Sequence, residues 1–124
     1  MDLWIDDLRD PSDFGKPDWH WAKTITEAIR ILATRKVEHV SIDHDICHVL
    51  PMKSKSIHEA TSSPVMLQPI TCPENYTAVA YYIAAMTIDE RPREVVVHTA
   101  NPIGAKEIVR ILEDAVLNVV VSMA

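Results

Sequence analysis

Glycine is nearly missing, with two residues in 124. A phosphate loop or a dinucleotide fingerprint needs several glycines to bring backbone against phosphate, so neither can be argued. Cysteine is equally sparse, with Cys47 and Cys72 alone. Such a pair reads as reduced thiols in a cytoplasmic protein, since disulfide scaffolds are cysteine-dense. The sequence leaves open whether the two pair. Their spacing with His48 and His58 matches no standard zinc pattern. Positive charge is in deficit: 12 Lys and Arg against 18 Asp and Glu, net −6. That excludes a broad grip on duplex DNA and leaves room for a nucleotide or one RNA end in a pocket. No window approaches the ~18 uninterrupted apolar residues of a membrane span. The opening M-D-L-W-I-D-D lacks the basic-then-apolar order of a signal peptide.

What remains is an ordinary globular composition, 48% hydrophobic and 24% charged. Residues 1–124 are expected to form one domain able to bury its own core. The apolar run Leu3 to Ile5 predicts a buried strand, and Trp19 to Ala22 a second short one. Between them lies a loop rich in Pro, Asp and Gly. A capping box at Thr24 and Glu27, or a cap one step on at Thr26, opens a helix with Ile25, Ala28, Ile29 and Leu32 as its stripe. His39 to Ile42 predicts the third strand. Cys47 to Cys72 breaks the rhythm with three prolines and reads as an irregular insertion. A helix is expected from Pro73 to about Asp89 and a strand from Glu94 to His98. Asn101-Pro102 then supplies an N-cap and a first-turn proline for a helix to about Val116. Leu117 to Val121 predicts the last strand.

Alternating strands and helices with unbroken V-V-V runs predict a mainly parallel five-stranded sheet with helices on both faces. Ligands of such sheets sit at strand carboxyl ends. There the chain places Asp6-Asp7, Asp43-His44-Asp45 and His98-Thr99. Three ionisable residues in a row at a strand end cost desolvation unless they face water, one another or an ion.

W-I-D-D-L-R-D-P, S-I-D-H-D-I and V-V-V-H-T-A-N-P-I-G, in that order, resemble the cyclic-phosphate processing receiver-like domains. The resemblance covers most of the chain except the insertion. It implies a three-layer receiver-like (flavodoxin-like) α/β domain whose first helix is reduced to a loop. Asp6 and Asp7 resemble the receiver's acidic pair that helps hold magnesium, and Asp43 resembles its phosphoacceptor. Thr99-Ala100 resembles the hydroxyl residue and small neighbour after the fourth strand. The receiver's lysine has no counterpart in Leu117 to Ala124, and Arg9, His44 and His98 are additions. The resemblance thus points away from a phosphorylation switch and toward a 2′,3′-cyclic phosphate RNA end or a small cyclic nucleotide.

Opening a cyclic phosphodiester needs activated water, neutralised phosphoryl oxygens and a proton for the leaving oxygen. Histidine suits proton exchange, which gives His44 and His98 with Asp43 as catalytic candidates. Magnesium or another divalent cation suits the charge, with Asp6, Asp7, Asp43 and Asp45 as candidate ligands. Arg9, Thr99 and Asn101 are the candidate phosphate binders, the last at a helix start with free N–H groups. Each has a plainer reading: Asp45 as a turn cap or partner of His44, His98 as a core histidine, Arg9 as a partner of Asp7 or Asp10, Asn101 as a helix cap. Two other functions stay open. One is a nucleotide-sequestering pocket without turnover. The other is a protein-interaction module built on a degenerate receiver, with the insertion as its arm.

Overall fold

The computed structural model describes residues 1–49, 70–115 and 118–122. In chain order its elements are β1 (Asp2–Ile5), a 3-10 turn (Pro11–Phe14), β2 (His20–Ala22), α1 (Ile25–Thr34), β3 (His39–Ile42), β4 (Asp45–Val49) and β5 (Ile70–Asn75). Then follow α2 (Thr77–Ala85), β6 (Glu94–His98), α3 (Pro102–Leu112) and β7 (Asn118–Ser122). One five-stranded sheet runs β2-β1-β3-β6-β7 with every pair parallel, and β4 and β5 form a separate antiparallel arm. This is the expected receiver-like α/β fold, its first helix reduced to a turn.

Register decides what each face carries. Leu3, Val40 and Val95 lie side by side, as do Ile5, Ile42 and Val97. Their side chains share one face, where Ala28, Leu32, Val79, Ile83 and Ile108 of the three helices complete a single core. Trp4, Ser41 and Val96 occupy the intervening positions and point the other way. Among the described residues no helix packs on that second face. The 3-10 turn reaches it through Phe14, stacked 5.4 Å from Trp4. Among the described residues all three helices lie on the first face and the 3-10 turn on the second. After β2, every crossover steps across the sheet in the same direction, and right-handed crossovers then put all their helices on one face. Only β1 to β2 steps back, and its connection is the turn.

Local chemistry sets the boundaries. Thr24, not Thr26, caps α1, its hydroxyl accepting from Glu27 N at 3.0 Å. Pro73 to Asn75 belong to β5 and not to the following helix. β5 pairs with β4 alone, and a proline without an N–H is tolerated on such an edge. Asn75 Oδ1 then accepts from Thr77 N at 3.0 Å and starts α2. That helix stops at Ala85, where the Arg91 guanidinium donates to Met86 O at 2.8 Å.

The insertion is strand at both ends. Its remainder, residues 50–69 with His58, lies outside the described residues, as does the proposed binding arm's role. Cys47 is disulfide-bonded, against the reduced-thiol expectation. The antiparallel arm explains this: it brings β4 beside β5, which contains Cys72, the only other cysteine in the sequence. No described helix is long and apolar enough to cross a membrane.

Candidate functional site

Parallel pairing continues past the strand ends and fixes the acids. Asp6 N donates to Ala22 O at 3.1 Å and Asp43 N to Ile5 O at 2.9 Å. Asp6, Asp7 and Asp43 consequently converge, one carboxylate oxygen from each lying within 4.8 Å of the others. Asp6 Oδ1 accepts from Leu8 N at 2.8 Å and Arg9 N at 3.0 Å. Asp7 Oδ2 accepts from Cys47 N at 2.9 Å, which ties the arm to the acids. Asp43 accepts from His44 N at 2.8 Å and from the Thr99 hydroxyl. Thr99 Oγ1 accepts in turn from Asn101 N at 3.1 Å.

The two buried acids are pushed apart in acidity. Burial raises Asp6, but hydrogen bonds from His98, Arg9 N and Leu8 N outweigh it and leave it below the usual carboxylate value. Burial and the charge of Asp6 push Asp43 above that value. Like charges at this separation repel unless a cation or a proton stands between them.

His98 is the imidazole beside these acids. Its Nε2 lies 2.9 Å from Asp6 Oδ2 and its Nδ1 2.6 Å from Ser41 Oγ. The Trp4 ring stacks on it at 4.1 Å and 14°. With an ionised Asp6, the consistent tautomer donates from Nε2 and accepts the Ser41 hydroxyl at Nδ1. Beyond His98 lies a cavity of about 110 Å³ under the turn, where Arg9 is found. A cavity of about 600 Å³ between Lys36, Arg91 and Glu113 sits at the opposite, amino ends of the strands. Its mixed charges and its distance from the acids leave it outside this site.

His44, Asp45 and Asn101 are drawn elsewhere. His44 Nδ1 lies 2.6 Å from Asp45 Oδ1 and its Nε2 2.7 Å from Glu107 Oε1. Both nitrogens are thus spent on a clasp between the β3–β4 turn and α3. Gly104 makes the clasp fit, because a methyl group there would run into the imidazole. Asp45 stands outside the three-acid group and also accepts from Asn101 Nδ2 at 3.3 Å. Asn101 Oδ1 caps α3, accepting from Ile103 N at 3.1 Å and Gly104 N at 3.0 Å. Those are donors that a phosphate at this helix start would have used.

The clasp has a pH signature. Burial lowers His44, but Asp45 and Glu107 outweigh it and hold it above its ordinary 6.5. A raised folded value means the clasp stabilises fully below about pH 6.5 and loses its contribution as pH rises through the folded value. Melting temperature is expected to fall over that upper window, and Glu107→Gln to flatten the fall. An unchanged slope in Glu107→Gln, measured by thermal scans in matched buffers, would contradict this.

Three residues of the site's surroundings escape sequence reasoning. Ser41 is legible in retrospect: it shares a strand face with Trp4 and lies two residues before Asp43. Glu107 shows no signal, since an acid in mid-helix usually faces water. Tyr76 is fully buried below the acids and donates to Lys23 O at 2.6 Å. Burial and then the charges of Asp7, Asp6 and Asp43 push its hydroxyl far up, so it stays protonated.

A family model described as Cyclic-phosphate processing Receiver domain matches residues 1–114. No curated protein and no solved structure matches the chain.

Proposed function

The chain belongs to the cyclic-phosphate processing receiver family, and from that premise we propose that it opens a cyclic phosphodiester at the carboxyl ends of β1, β3 and β6. The observation that carries this reading is the convergence of Asp6, Asp7 and Asp43 within 4.8 Å. Three hard oxygen donors, crowded enough that Asp6 disfavours ionisation of Asp43, fit magnesium or another divalent cation. Asp6, Asp7 and Asp43 would hold it, and bound there it would neutralise charge on the phosphoryl oxygens. Asp45 lies outside that group.

The chain's own groups do the rest. Thr99, already in reach of Asp43, and Arg9, beside His98, bind the phosphate. His98 orients Asp6 from Nε2 and is the imidazole placed to exchange a proton there. His44 is the second imidazole of the proposal, held by Asp45 and Glu107 at its two nitrogens. The substrate is a 2′,3′-cyclic phosphate RNA end or a small cyclic nucleotide.

The test is a turnover screen with magnesium or manganese, read by phosphorus NMR. It uses 2′,3′- and 3′,5′-cyclic nucleotides and an RNA with a cyclic phosphate end. Metal-dependent ring opening that His98→Ala abolishes is expected. No opening of any substrate by folded protein overturns the catalytic reading. One observation favours a second reading, sequestration without turnover: His98 is 4% exposed and both its nitrogens are partnered. Tight binding with no product would select it.

A further inference from the structure

We infer that the outer edge of β7 is a pairing surface for a second copy of this chain, joined antiparallel about a twofold axis into one continuous sheet. β7 is an edge of the five-stranded sheet, and among the described residues no strand pairs with its outer side. An open edge presents a row of free N–H and C=O groups, which proteins ordinarily blunt with charge, proline or short length. The opposite edge is blunted in this way: β2 has three residues and is followed by Lys23. β7 has five, Asn-Val-Val-Val-Ser, with neither charge nor proline. Its side chains are as incompletely covered as its backbone. Val119 and Val121 stand beside Val95 and Val97 on the helix-covered face, yet Val121 is 42% exposed. It borders an open groove along α3, lined by Pro102, Ala105 and Val109. Val120, on the opposite face, is 48% exposed.

Symmetry selects the partner. Copies of a chain with net charge −6 repel, so self-pairing needs an edge free of acids, and β7 is one. A twofold axis at Val120 sets Val120 against Val120, Val119 against Val121 and Asn118 against Ser122 of the other copy. Each exposed valine then meets a valine, and each polar end a polar end. α3 adds charge complementarity. It runs back antiparallel to β7, with exposed Lys106, Arg110 and Glu113 along the groove beside the edge. Among the described residues none of these three is in an ion pair. The twofold keeps both α3 helices on one face and reverses their order. The Lys106 end of each therefore lies beside the Glu113 end of the other.

The test is sedimentation velocity of the full chain from low to high micromolar concentration, with amide hydrogen exchange on the same samples. A monomer–dimer equilibrium is expected, and exchange at Asn118 to Ser122 should slow as concentration rises. Val120→Lys sets two like charges together on the axis and should weaken the dimer about tenfold or more. Lys106→Glu and Glu113→Lys should each weaken it about threefold, and the two together should restore it. All these substitutions lie at exposed positions, and thermal scans check that each variant is folded. A chain that stays monomeric throughout overturns the inference, whatever other strand the edge receives. So does a dimer that folded Val120→Lys leaves intact, or concentration-dependent protection that spares β7. Failure of the charge swap to restore the dimer overturns the antiparallel arrangement, and growth beyond a dimer overturns the closed twofold.

Discussion

Asp43→Asn is expected to cut turnover by about a thousandfold while making the metal-free protein melt higher. The two effects have one origin. Burial and the charge of Asp6 hold Asp43 above 3.8 in the folded chain. A raised folded value means that ionised Asp43 is penalised by folding at every pH above about 3.8. Asparagine keeps the shape and can still accept from His44 N, so it removes the repulsion and little else. It also removes one of three anionic oxygens within 4.8 Å, which is what would attract a divalent cation. Thermal scans with and without magnesium should thus show a stabilising shift in the parent and little in Asp43→Asn. An equal magnesium shift in both would remove Asp43 from the cation site.

The largest loss of stability is expected at Tyr76. Among the described residues it is the bulkiest fully buried side chain. Its N–H donates to His44 O at 2.8 Å and its hydroxyl to Lys23 O at 2.6 Å. One residue therefore ties the turn after β3 to the loop after β2, directly below the acids. Tyr76→Ala should cost about 3–5 kcal/mol through the cavity it leaves. Tyr76→Phe keeps the ring and should cost about 1 kcal/mol for the lost hydrogen bond. Urea unfolding of both variants measures the difference. Equal losses would mean that the hydroxyl, and not the packing, carries the stability.

Much of this was legible in the sequence, for identifiable reasons. Strands with unbroken aliphatic runs announced a parallel sheet, and parallel strands bring their carboxyl ends together. Asp6, Asp7 and Asp43 follow from that rule alone. So does His98, which ends its strand. The direction of His44 is not legible, because a strand end does not say which way the next side chain turns. His44 turns toward α3, where Glu107 waits 63 positions later in the chain. Pro73 reads as a helix opener because proline starts helices more often than it sits in strands. Only its edge location made the strand acceptable. That the described helices share one face follows from crossover direction once the strand order is known. Strand order is a tertiary property, and composition does not encode it.

With the described helices all on one face of the sheet, the site has two directions of approach at right angles. The acids are reached along the strand axes, over the carboxyl ends. His98 can also be addressed along the sheet normal, past Phe14 and the turn, from the side that no described helix covers. Had a helix replaced Pro11–Phe14 on Trp4, that second route would be filled with side chains. The turn in place of a helix thus leaves His98 between the acids on one side and Phe14 and Trp4 on the other.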